Sequence, residues 1–277
     1  MRMLLKVLIE NTACSEEFHH EHGLSLYLEA NGKKMLFDVG ASDLFYENAK
    51  KMGVAVENVD FLVISHGHSD HGGGLERFLQ ANKSAKVYLP PHAFEKHYSL
   101  RVENKPVYIG LNEELKHEKR LVVMKEGMTE LEKGFFVFSG VPLKEATPQS
   151  NQFLFMEKNG ILEHDTFEHE QNLVIEEGNK KIVITGCAHN GIVNIIEEFK
   201  KLFHCEPDNV LGGFHLSNPA NGEPEDADKL KQVGEYFLSH KTNYYTCHCT
   251  GLKAYQLLKD QMQDRINYLS AGTEIEL

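Results

Sequence analysis

The sequence predicts an α/β protein, an αββα sandwich of two mixed sheets with helices on the outer faces. Three observations carry that expectation. Hairpin, strand and helix signals run in that order and then recur in the second half of the chain. Each half holds a tight two-residue turn between apolar runs, Asn31-Gly32 in the first and Gly178-Asn179 in the second. Ile192 to Phe203, Ala227 to Leu238 and Leu252 to Met262 repeat their apolar residues at helical spacing. Two such halves can bury one sheet against the other and keep their helices outside.

Taken in order, residues 4–10, 24–29 and 34–38 read as strands. Residues 43–52 read as a helix, with Asp43 near its start and Gly53 just past its end. Residues 61–64 form a short apolar strand, 75–79 begin another helix and 86–89 are a further strand. The stretch 92–133 is more polar. It reads as an insertion in a single domain spanning residues 1–277, either a lid or the contact of a homodimer. Strand signals resume at 135–138 and 152–156, continue in the hairpin of 173–177 and 181–185, and return at 209–211, 244–246 and 266–269.

With 277 residues the chain can bury a sizeable core. A hydrophobic share of 41% with 25% charged residues excludes a disordered chain. The net charge of −12 argues against a broad surface for nucleic acid or anionic lipid, so the expected partner is a small molecule. No apolar run approaches the roughly 18 residues that span a bilayer, so no membrane partner is expected. Lys6 and Glu10 interrupt the opening apolar run, which reads as a strand rather than a signal peptide. Cys14, Cys187, Cys205, Cys247 and Cys249 are odd in number and loosely spaced, which fits a reducing cytoplasm better than a disulfide framework.

The chemistry concentrates in Ser65-His66-Gly67-His68-Ser69-Asp70-His71-Gly72-Gly73-Gly74, directly after an apolar strand and before a helix. Imidazoles and a carboxylate at this density suit zinc, with iron or manganese as alternatives. Side chains two apart on a strand end share a face, which aims His66 and His68 at one ion. The turn that follows can send Asp70 and His71 toward a second, and the glycines permit close backbone approach.

Asp38 in Leu36-Phe37-Asp38-Val39-Gly40, the His66 to His71 motif, Thr185-Gly186-Cys187-Ala188-His189 and a late His248 together resemble the metallo-β-lactamase superfamily. The resemblance covers residues 24–272 and implies the αββα sandwich with metals at the edge between the sheets. It implies that His66 and His68 bind one ion, that Asp70 and His71 bind the other, and that Asp38 holds their loop. Glu21-His22-Gly23, Gly212-Gly213-Phe214-His215-Leu216 and His248-Cys249-Thr250-Gly251 narrow the likeness. They resemble the group named as dihydropterin-ylmethyl-(ribofuranosyl)aminobenzene 5′-phosphate synthases, which implies a pterin condensation. Many superfamily members carry Thr-Gly-Asp where this chain has Thr185-Gly186-Cys187, and that aspartate bridges two metals. Cys187 is then either a soft ligand or a small buried hydrophobe, and the expected cofactor is one or two divalent ions.

His189 lies two residues further on and can replace the missing ligand; its alternative is a cap or substrate contact before the helix. His248 follows a strand and precedes a helix, which suits the last ligand position. His215 is open as ligand, proton donor or phosphate contact, and His22 as a site residue or an exposed loop histidine. Phe214 can stack on a substrate ring or belong to the core, and Glu170 can touch substrate or metal. His92, His97, His117, His164, His169, His204 and His240 read as solvated. The expected activity is a metal-dependent hydrolase acting through a metal-bound hydroxide on small-molecule phosphoesters. In it Asp70 orients the hydroxide, and His215 or His22 protonates the leaving group. The alternatives are the pterin condensation and a non-catalytic or redox metal scaffold.

Overall fold

A computed structural model of the chain describes residues 3–100 and 105–277. Residues 1 and 2 of the opening run and 101–104 of the expected insertion lie outside the described residues. Among those described, two seven-stranded sheets dominate. The first runs Glu274–Glu276, Leu4–Ile9, Ser25–Ala30, Lys33–Phe37, Phe61–Val63, Lys86–Leu89 and Leu121–Val123. The second runs Ile266–Tyr268, Asn243–Thr246, Asn209–Gly212, Lys180–Thr185, Gln171–Glu177, Phe135–Ser139 and Met128–Glu132. Both are mixed. Antiparallel pairs give way to parallel ones at Lys33–Phe37 in the first sheet and at Lys180–Thr185 in the second.

Side-chain alternation builds the layers. In Phe61–Val63 the outer two residues, Phe61 and Val63, enter one core, while Leu62 and the following Ile64 enter another. In Lys180–Thr185, Ile182 and Ile184 join Phe61 and Val63, while Val183 faces away. The shared core therefore lies between the sheets, with Met35, Phe37, Val137, Leu173 and Leu211. Phe45, Ala49, Leu75 and Phe78 from helices Leu44–Lys51 and Leu75–Ala81 cover the outer face of the first sheet. Ile195, Phe199, Val233, Phe237 and Leu258 from helices Ile192–Phe203, Ala227–Leu238 and Leu252–Met262 cover that of the second. This is the αββα sandwich the sequence predicts.

The Asn31-Gly32 turn takes positive φ at both residues, 50° and 73°, as a two-residue hairpin with the right twist requires. A bulge between Val7 and Ile9 shifts the alternation, so Val7 faces the shared core while Leu8 and Ile9 both face the helices.

Residues 92–133 divide between the main sheets and a smaller one. Leu121–Val123 and Met128–Glu132 are edge strands, one in each main sheet. His97–Ser99 and Val107–Tyr108 instead join Leu154–Lys158 and Ile161–His164 in a third, four-stranded sheet.

Candidate metal centre

The site gathers at the carboxyl ends of the parallel strands, where the loops of an α/β sheet are free to meet a ligand. Phe61–Val63 leads into Ser65, His66 and His68, and Lys180–Thr185 into Cys187 and His189. Asn209–Gly212 leads into His215, and Asn243–Thr246 into His248. A bridge between His66 and Glu170 ties the two sheets there. Asp38, Ala188, His215 and His248 all hold left-handed backbone, with φ of 60°, 56°, 50° and 52°. Each costs on the order of 1 kcal/mol or more, a strain that collects where geometry is constrained by a site.

His66, His68 and His189 each offer a ligand atom within 4.8 Å of the others, and all three are buried. A second set lies beside them. His71 Nε2 is 3.2 Å from His248 Nε2 and 3.2 Å from Cys187 Sγ. Asp70 Oδ2 is 3.4 Å from His248 Nε2 and 3.7 Å from His71 Nε2. Bonds of 2.0–2.1 Å around a tetrahedral ion place ligand atoms about 3.4 Å apart, and this spacing brackets that value.

The opposite ring nitrogens fix the tautomers. His71 Nδ1–H donates to Asp38 Oδ2 at 2.6 Å, His248 Nδ1–H to Asn11 Oδ1 at 2.8 Å, and His189 Nδ1–H to Asn151 Oδ1 at 3.0 Å. Ser65 Oγ–H donates to the same Asp38 oxygen, so His66 Nδ1–H donates to Ser65 Oγ at 2.9 Å. In each case the lone pair is left at Nε2. His66 Nε2 and His189 Nε2 are buried with no hydrogen-bond partner among the described residues. Buried acceptors without donors, converging from several loops, are what a divalent cation satisfies. The donor set therefore fits the expected metal.

Electrostatics point the same way. Burial holds His66, His68 and His189 well below the ordinary imidazole range, and it pushes His248 down to about 3, so these rings are neutral at pH 7. Burial opposes ionisation of Asp70, yet the neighbouring His71, His22 and His248 rings prevail and hold its carboxyl well below the usual range. Burial opposes a charged His71 too, and the Asp38 and Asp70 carboxylates outweigh it and raise that ring. Burial pushes the Cys187 thiol far up, so at neutral pH in the metal-free protein it is not a thiolate nucleophile.

These groups meet in a cavity of about 110 Å³ lined by His68, Asp70, Cys187, His189, His215 and His248, with His22 and Pro219 also at its wall. His22 Nε2 lies 3.2 Å from Asp70 Oδ2, half exposed. His215 is buried, its ring centroid 4.3 Å from that of His189. The structure thus brings Asp38, His66, His68, Asp70, His71, Cys187, His189, His215, His248 and His22 together.

Two expected contacts are corrected. Phe214 is fully buried and packs on Phe237 at 5.6 Å, so it belongs to the core. It borders a larger cavity of about 720 Å³ between two outer helices, whose wall holds no histidine or cysteine. Glu170 is also fully buried, and its oxygens accept from the backbone N–H groups of His189 and Asn190 and from the Asn190 amide. It shapes the His189 loop instead of reaching substrate or metal. His97, His169 and His240, read as solvated, are buried. Sequence reasoning missed Glu10 as well. Its carboxylate accepts from His248 N–H at 2.6 Å and from Tyr268 OH, fixing the last ligand loop from the first strand. No spacing rule links residue 10 to 248, and only its place at a strand end hinted at it.

A family model described as the metallo-beta-lactamase superfamily matches residues 21–228. The chain belongs to this superfamily. Among solved structures, one described as a metal-dependent hydrolase of the beta-lactamase superfamily superposes with a TM-score of 0.84 at 31% identity, covering 99% of both chains. An uncharacterised protein of Methanocaldococcus jannaschii is 31% identical over 252 residues, 91% of this chain and 92% of its own. The 7,8-dihydropterin-6-methyl-4-(beta-D-ribofuranosyl)-aminobenzene-5'-phosphate synthase of the same organism is 28% identical over 275 residues, 94% of this chain and 91% of its own. Zn(2+)-bound PqqB from Methylobacterium extorquens shares the fold, with a TM-score of 0.58 at 14% identity and coverage of 99% and 100%. Among the described residues no helix is long and apolar enough to cross a membrane.

Proposed function

We propose that this superfamily member is a metal-dependent hydrolase of small-molecule phosphoesters. The carrying observation is the convergence of neutral, buried imidazoles and the ionised Asp70 on one small cavity. His66, His68 and His189 would hold one divalent ion, and Asp70, His71 and His248 a second, with Cys187 beside both sets and zinc as the first choice. Such ions lower the pKa of water toward about 7 and polarise a phosphoryl oxygen. Asp70, held ionised, accepts a hydrogen bond from the attacking water and orients it. His22, at the open side and hydrogen-bonded to Asp70, is placed to give a proton to a leaving oxygen, and His215 faces the same cavity. A volume of about 110 Å³ admits a phosphoryl-sized group while the rest of the substrate stays outside. The net charge of −12 further favours a small molecule over a nucleic acid.

The pterin–aminobenzene ribotide condensation is the second reading, supported by the likeness to the synthase over 94% of the chain. One experiment separates the two. Metal-replete protein should convert bis(4-nitrophenyl) phosphate with a rate that rises around pH 7, and Asp70→Asn should lower that rate by about 10²-fold or more. No hydrolysis across the neutral range, with joining of a dihydropterin diphosphate to an aminobenzene ribotide, would reject the hydrolase in favour of the condensation.

A further inference from the structure

Beneath His68 lies a second buried group that the proposed chemistry does not use: His97, Asp165 and His169. The third sheet delivers it. His97 opens the strand His97–Ser99, and Asp165 follows the strand Ile161–His164. One ligand atom from each of the three lies within 4.8 Å of a nitrogen of His68.

The proton positions follow from donors that have no choice. Gly67 N–H donates to His169 Nδ1 at 3.0 Å, which places that ring's proton on Nε2. His169 Nε2–H then donates to Asp165 Oδ2 at 3.2 Å. The other Asp165 oxygen accepts from Phe167 N–H at 2.8 Å. His97 Nδ1–H donates to Asp165 Oδ2 at 2.8 Å, which leaves a lone pair on His97 Nε2. That atom is buried and has no hydrogen-bond partner among the described residues, and the same is true of His68 Nε2. The two rings stand 5.5 Å apart between centroids, edge to face. A buried acceptor without a donor thus lies close to a ring that still has a proton to place, with no hydrogen bond between their Nε2 atoms in this structure. These tautomers also argue against a third ion here, because His169 carries its proton on the nitrogen that would have to coordinate. Gly67 completes the fit: a Cβ there would come 2.7 Å from Ala93 O and 3.0 Å from His97 Nε2, so only glycine lets His97 approach the backbone between the two candidate ligands.

We infer that Asp165 and His97 are a positioning relay for His68. Asp165 fixes His97 with its lone pair toward His68, His97 takes the His68 Nε2–H, and the other His68 nitrogen is left for the ion. Asp165 and His97 touch neither metal nor substrate; they act through His68. The inference rests on the reading of His68 as a ligand.

Zinc affinity measured by chelator competition tests it. His97→Ala should weaken binding of one ion by about 10- to 100-fold and leave the other unchanged. His97→Gln keeps an acceptor for His68 and a donor for Asp165, and it should recover most of the loss. Equal affinities in all three proteins would defeat the relay alone. Wild-type protein that binds no zinc would defeat the metal reading and the relay with it. A third zinc equivalent that Asp165→Asn removes would show the cluster to be a metal site and overturn the relay. Should His97→Ala fail to fold, zinc-loaded wild-type crystals decide: the two Nε2 atoms should stand about 3 Å apart, and a separation beyond about 3.5 Å refutes the inference.

Discussion

Asp38 shows how one buried side chain serves several neighbours. One oxygen takes the Ser65 N–H at 2.7 Å, and the other takes both the Ser65 hydroxyl at 2.7 Å and His71 Nδ1–H at 2.6 Å. Through Ser65 it reaches His66, so a single carboxylate sets two candidate ligands. At this scale the ligand assignment has a direct test. His66→Ala combined with His68→Ala removes two donors of one set, and elemental analysis should find at least one equivalent of metal missing. Full metal content in the double variant would refute the assignment. The ligand candidates were legible in the sequence because spacing after a strand carries geometric meaning, as in His66-Gly67-His68. Their supports were not. Glu10, Asn11, Asn151, Asp165 and His169 are joined to the site only by tertiary folding. His97 and His169 sit among polar residues that read as surface, and only the third sheet's closure over them buries them.

At the scale of elements, the loops after the parallel strands are packed so closely that glycine is required between them. A Cβ on Gly186 would land on Ser65 Oγ and stand 3.2 Å from His66 Nδ1. Gly186→Ala should therefore push Ser65 off Asp38 and cost about 1–3 kcal/mol of stability. Thermal denaturation would register this as a lower Tm, whereas an unchanged Tm would mean that the Ser65 loop shifts freely. Helices Ile192–Phe203, Ala227–Leu238 and Leu252–Met262 appear with the boundaries their periodicity predicts, because each buries one strong apolar stripe. Leu121–Val123, Met128–Glu132 and Glu274–Glu276 escaped detection. Each is an edge strand of five residues or fewer with partly exposed side chains, so its identity comes from a neighbour's free hydrogen bonds and not from its own pattern.

For the whole molecule, the buried imidazoles link stability to pH. Burial lowers His66, His68, His97 and His189, and brings His248 to about 3. In the unfolded chain these rings bind protons near pH 6.5 and in the folded one they do not, so stability is lost as pH falls below about 6.5. His71 acts in the opposite sense, since its raised value favours the folded state on acidification, as do Asp38 and Glu170 nearer their own range. Five lowered rings against one raised ring leave a net loss. Metal-free protein should lose stability from pH 7 to pH 5, most steeply once the pH is below about 6.5. Denaturant titrations at several pH values would check the sign, and a flat or rising profile would contradict it.

The first strand pairs through Leu4 with Glu276 at one end, and at the other, beside the cavity, Glu10 holds His248. Emerging from a ribosome, the first strand would wait for nearly the whole chain before its outer neighbour arrived. Loop closure over such separations is paid before any contact there can reward it, which makes this seam a late event in folding. The His248 loop, held through Glu10, is therefore fixed late, after the segments that carry His66, His68 and His189 are in place.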